Sequence, residues 1–201
     1  MQLYFVDRDP CAAAEFLMDQ HVTRMTVENL RLLSTAWHNT SPSFIEWREV
    51  DTAESLLLRQ KIGRPFLNGF RIYTPAYGRE KLVEWIAADQ EHYLWLWCHT
   101  AKLVLERLRR FGTSPASIAP TLAALAHSPE IPHTEWKDPP LLAEDDDLLE
   151  MDDAVEAHRE YYRRHKVELG RWTNRQPPEW LGPEAMKNLT SRQAVRIKDH
   201  K

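Results

Sequence analysis

A predominantly α-helical fold, one domain in which a short N-terminal β-strand packs against a helical bundle, is predicted by three observations. Glycine is scarce, with 6 residues beside 13 prolines in a chain of 201, a balance that favours helices joined by Pro-marked loops over a turn-rich β protein. Apolar residues recur at helical spacing in several long segments. Lastly, 43% hydrophobic and 28% charged residues give a chain apolar enough to fill a core and charged enough to be a globular domain rather than a disordered one.

The elements follow in order. Residues 2–6 are aromatic and β-branched, which predicts the strand, ended by Asp7-Arg8-Asp9-Pro10. Asp9 followed by Pro10 predicts a helix start, because Asp caps free amides while Pro supplies the φ of the first turn. That helix is expected over 10–18. Asp19 is expected to cap a second one through about residue 37, with Val22, Met25, Leu30, Leu33 and Trp37 near helical spacing. A short helix over 51–61 and an ordered loop over 63–78 come next, the latter of a length that often serves function. Residues 79–110 read as helical with a break near Asp89, 115–126 as a short helix, 128–149 as a Pro- and Asp-rich connection, and 152–172 as the last strong helix. The domain is thus expected to span 1–181, with 182–201 a basic tail. No repeat is visible.

Several function classes are disfavoured at once. No apolar run is long enough to cross a membrane, so no membrane association is expected. Basic residues number 26 and acidic 30, a net charge of −4, so nucleic-acid binding through bulk charge is disfavoured and any such site has to be a local patch. Two cysteines, Cys11 and Cys98, make neither a disulfide framework nor a Cys-based zinc site. The first residues are too short and too charged for a signal peptide, and the expected location is cytoplasmic. With no HExxH and no Cys pair at ligand spacing, no metal site and no cofactor are assigned. There is also no GxSxG and no Gly-rich phosphate loop.

The sharpest constellation is Asp19-x-His21-x-x-Arg24-x-x-x-Glu28. On one helix His21, Arg24 and Glu28 line one stripe. An imidazole, a guanidinium and a carboxylate together transfer protons, hold an anion and orient a nucleophile. The plainer alternative is a surface histidine beside a solvated ion pair. His38 closes the same helix. A second pattern interleaves cations with rings: Tyr161-Tyr162-Arg163-Arg164-His165-Lys166, then Arg171-Trp172-Thr173-Asn174-Arg175. That mixture holds phosphates and stacks bases, and Arg107, Arg109 and Arg110 add a further basic run. Its plainer alternative is a core of rings with arginines as solvated rim.

The block from Phe5-Val6-Asp7-Arg8-Asp9-Pro10 through Asp19-Gln20-His21-Val22-Thr23-Arg24-Met25-Thr26-Val27-Glu28 resembles a family of small, helical bacteriophage proteins with a D-x-H-V-x-x-M-x-x-E motif. The run His92-Tyr93-Leu94-Trp95-Leu96 and the closing 154–162 segment with Trp172, Arg175, Pro178 and Trp180 fit the same pattern, so the resemblance covers most of 1–181. It implies DNA metabolism, in glycosylase or base-modification roles. The chain departs from the pattern in having Arg24 where Lys is expected, Thr74-Pro75 where Asn-His-Pro is expected, and no His after Phe111-Gly112.

The expected function is an enzyme acting on a nucleobase or nucleotide of DNA, by N-glycosidic cleavage or group transfer to a modified base. Asp7, His21, Arg24 and Glu28 are the expected catalytic residues, with Glu28 or Asp7 as base, His21 as proton shuttle and Arg24 on phosphate. His38, Tyr93, Trp95, Tyr162, Trp172 and Arg175 are the expected substrate contacts, and DNA or a nucleotide the expected partner. Two other classes stay open: a non-enzymatic phage or host interaction protein docking through a Trp-rich surface, and a metal-dependent phosphohydrolase.

Overall fold

The computed structural model describes residues 3–50, 62–76, 80–183 and 186–187. Among them the fold is mainly α. Helices α1 (Pro10–Phe16), α2 (Asp19–Thr40), α3 (Lys81–Ala88), α4 (Gln90–Phe111), α5 (Ile118–Ala124), α6 (Asp146–Leu149) and α7 (Ala154–His165) surround one core. A small antiparallel sheet of β1 (Glu46–Val50), β2 (Ile62–Leu67) and β3 (Phe70–Arg71), in the order β1-β2-β3, sits at its edge. The expected helix over 51–61 and most of the basic tail lie outside the described residues.

Helices α2 and α4, each of 22 residues and so about 33 Å long, pack along each other and form the backbone of the bundle. Their facing sides carry Val22, Leu30, Leu33, Tyr93, Leu96 and Leu103, all fully buried. Helix α1 packs on α4, α3 wedges against both long helices, and α5 joins α4 to β3. Where the sequence predicts a break at Asp89, the chain turns between α3 and α4. Asp89 caps α4 through the Glu91 amide and also accepts from Thr134, which ties the 132–138 loop to that corner.

Three expectations are corrected. Residues 3–6 are buried and belong to no regular element, and among the described residues no strand pairs with them: the Phe5 amide donates to Nδ1 of His158, and Trp95 Nε1 donates to the Arg8 carbonyl. A side chain replaces the ladder, so the segment is a buried plug. Asp19 is not the cap of α2, whose N-cap is Met18 without a side-chain bond, because its carboxylate is turned to Thr173 and Arg110. The last helix stops at His165 instead of running to 172. Beyond it Trp172 folds back to give its indole N–H to the Phe16 carbonyl, and a Cβ on Gly170 would stand 2.5 Å from the Trp172 ring.

The loop expected over 63–78 instead contains β2 and β3, joined by Asn68 (φ 51°) and Gly69 (φ 81°). Two successive positive φ values make the tight hairpin turn for which Asn-Gly is the favoured pair.

One buried polar network holds these parts together. The α1–α2 junction leaves helix-terminal carbonyls without partners, and Arg110, from the last turn of α4, fills them by donating to Glu15 O at 2.8 Å and Leu17 O at 2.7 Å. Its charge is met by Glu106 at 3.1 Å and Asp19 at 3.2 Å. Glu106 also accepts two hydrogen bonds from Arg175, which pairs with Glu15 at 3.0 Å. Burial alone would push the Glu106 carboxyl up, but the bonds from Arg175 and Arg110 outweigh it and hold it below the usual range. Arg110→Met leaves Glu106 and two carbonyls short of donors. It is expected to lower the unfolding free energy by about 3–5 kcal/mol, read from urea midpoints at constant slope.

Candidate functional site

His21 stands at the first turn of α2, where the buried plug crosses the start of the helix. The ring of Tyr4 stacks on it at 4.3 Å with the planes 17° apart, and Tyr162 of α7 meets it edge-on at 5.3 Å. Tyr162 Oη lies 2.9 Å from His21 Nδ1 and accepts the Met18 amide at 2.9 Å. With that amide donating to it, the phenol's own proton points to Nδ1, so His21 is neutral with its proton on Nε2. Burial, aided by the positive charges of Lys166 and Arg24, pulls the His21 pKa down to about 4. Burial likewise raises the Tyr4 phenol to about 12 and the Tyr162 phenol further. The result is an uncharged imidazole, fixed in one tautomer, with two cations near it and Nε2 left for a ligand.

The stripe predicted on α2 is only partly assembled. Arg24 is exposed, one turn from His21. Glu28 is seven residues on, about 10 Å along the axis, and pairs with Arg31 at 3.5 Å. Asp7 is further away in role: Arg159 reaches it at 3.4 Å, and it closes a local turn by accepting the Asp9 amide. His38, seventeen residues from His21 and so about 25 Å away, contacts the Tyr73 carbonyl and the Trp47 ring instead.

Most predicted substrate contacts are structural in this fold. Tyr93 is fully buried, giving its proton to the Leu125 carbonyl and accepting Trp37 Nε1. Trp95 stacks on His99 and is held by the Arg8 carbonyl. Tyr162 and Trp172 are core, so none of these four offers a free face to a base. The interleaved cations of α7 do not form a basic patch, because Arg163 pairs with Glu156 and Glu160, Arg164 with Glu160 and Asp147, and His165 with Asp145. Arg110 is buried and Arg107 donates to the Thr23 carbonyl, so the second basic run is dispersed as well.

Arg175 lines a cavity of about 880 Å³, together with Glu15, Phe16, Arg109, Asn174 and Trp180. The Trp180 ring meets both Phe16, at 6.2 Å, and Tyr162, at 5.8 Å, and so connects the cavity wall to the partner of His21. Sequence reasoning missed Tyr4 as a member of this region. All four residues of 3–6 are buried, so no alternation distinguishes Tyr4. Among the described residues no group of three or more His, Cys, Asp or Glu is placed to hold a metal ion.

Comparisons with protein-family models, curated proteins and solved structures give no match to this chain. Its site is therefore read from its own geometry.

Burial makes the histidines acid-sensitive. His21 and His158 are held down to about 4 and His99 to about 3, chiefly by burial. Between the free value of about 6.5 and these values the unfolded chain binds more protons than the folded one, so stability falls as pH falls. Each histidine contributes at most about 1.4 kcal/mol per pH unit in that window. Urea midpoints are expected to drop steadily from about pH 6.5 to 4.5, above the range where depressed carboxylates such as Glu106 take over. His99→Asn should flatten part of that slope.

Proposed function

We propose that the protein is an enzyme acting on a nucleobase or nucleotide of DNA, with His21 as the group that donates a hydrogen bond to the reacting base or sugar. The observation that carries this is the setting of His21: a neutral imidazole clamped by Tyr4 and Tyr162, beside Arg24 and Lys166. In this tautomer the free Nε2 carries the proton and donates a hydrogen bond to a substrate oxygen or ring nitrogen, while the nearby cations hold a phosphate. Tyr162 is a positioning residue that fixes the tautomer. Arg24 takes the phosphate, and Glu28, at the far end of the same stripe, lies a nucleoside's length from His21, where a carboxylate steadies positive charge developing on a sugar. The cavity at Arg175 has the volume of an ordinary small-ligand site. N-glycosidic cleavage and group transfer to a modified base both need these parts.

The interaction-protein alternative draws less support. Of the eight tryptophans only Trp47 is largely exposed, at 58%, while Trp37, Trp85, Trp95, Trp97, Trp136 and Trp172 give their indole N–H to internal acceptors.

The test is turnover on DNA carrying unmodified and modified bases, with released bases and added groups read by mass spectrometry. His21→Ala is expected to lower kcat by about 10²- to 10⁴-fold, and Arg24→Ala to raise KM. With the His21 pKa near 4, its neutral, Nε2-protonated form persists to acid pH, so kcat/KM should stay level through about 6.5, where an ordinary histidine titrates. Full activity in His21→Ala, or an acid limb at the ordinary histidine value while the protein remains folded, would overturn the assignment.

A further inference from the structure

The solvent-facing line of α4 is apolar over most of its length. Leu94, Cys98, Ala101, Leu105 and Leu108 succeed one another at alternating steps of four and three residues, the spacing of a coiled-coil seam. Leu94, Leu105 and Leu108 are 38%, 59% and 45% exposed and Cys98 and Ala101 are half-buried, so the described residues leave the leucines of the seam open. It runs for about 21 Å without a charged residue on it, whereas the outward centre of a helix facing water is normally polar.

We propose that this line is the contact surface of an antiparallel homodimer, α4 against α4 of a second copy. Three features point to a second copy in that orientation. The middle of the seam is Cys98 and Ala101, small side chains that let two helix axes approach to about 8 Å. Antiparallel pairing about that middle sets Leu94 of each copy against Leu105 of the other, and Cys98 against Ala101.

The third feature is charge. Glu91 and Arg109, both exposed, lie eighteen residues or about five full turns apart, on the same flank of the seam and at its opposite ends. A two-fold axis through the middle brings each Glu91 to the Arg109 of the other copy, twice over. Antiparallel packing also opposes the two helix dipoles favourably. Because Arg109 lines the cavity at Arg175, the second copy's Glu91 lies at that cavity's rim.

The experiment is sedimentation equilibrium of the full chain over a range of concentrations, with circular dichroism to check folding. The wild type is expected at twice the chain mass of 23.6 kDa. Leu105→Glu, exposed in the monomer and so tolerated by the fold, is expected to weaken the dimer by about 100-fold, since it removes a leucine from each copy. Glu91→Arg or Arg109→Glu alone weakens it, and the two together restore it. A wild type that stays monomeric, a dimer indifferent to Leu105→Glu, or a doubly swapped protein weaker than either single variant overturns the proposal.

Discussion

The ion network centred on Arg110 is the interaction on which the rest of this structure depends. Helix α1 ends and α2 begins across Leu17 and Met18, so the carbonyls of Glu15 and Leu17 point inward with no helical partner. A buried guanidinium from α4 answers both carbonyls, and then itself requires buried carboxylates, supplied by Glu106 and Asp19. Glu106 in turn requires Arg175. Each group is costly to bury alone and tolerable only with its neighbours, so three segments distant in sequence are fixed together: the α1–α2 corner, the end of α4, and the turn from Thr173 to Arg175. The start of α2 carries His21, and the same network therefore sets where that imidazole sits.

Around this network the protein uses buried histidines as connectors. His92 contacts the Trp85 carbonyl through Nδ1 and accepts the Lys137 amide on Nε2, fastening the 132–138 loop across α3 and α4. His158 accepts the Phe5 amide and so replaces the strand partner that residues 3–6 lack. His99 bonds Asn29 between the two long helices. In each case the ring supplies a hydrogen-bond partner that an apolar residue could not. His21 shares their burial, but stands beside the positive charges of Arg24 and Lys166. That difference separates a candidate functional histidine from three structural ones.

Much of the fold was legible because it rests on local chemistry. Asp9 and Pro10 start α1, Asp89 divides α3 from α4, and Asp153 caps α7, each a case in which a side chain satisfies amides a few residues away. The sheet was missed although a signal was present: Asn68-Gly69 is a hairpin turn written in two letters. Trp136 meets Trp85 and His92 edge-on and Phe5 at a tilt in the core rim, whereas Trp47 is exposed. Of the candidate site, His21 and Arg24 remain together while Asp7 and Glu28 have partners of their own. Helical spacing places residues on a stripe, but it says nothing about which neighbour from another element takes each of them.

The sequence by itself determined the mainly helical class, the helix starts and the stripe on α2, since periodicity and caps act over a few residues and are read from the local string. The tertiary structure decided the rest. It turned Arg110 and Tyr162 inward and Arg24 outward, dispersed the cations of α7 onto acidic partners, made residues 3–6 a buried plug instead of a strand, and set Tyr4 against His21. These outcomes turn on which long-range partner reaches a polar group first, and on the cost of burying any such group unpaired, neither of which is encoded in the spacing of residues along the chain.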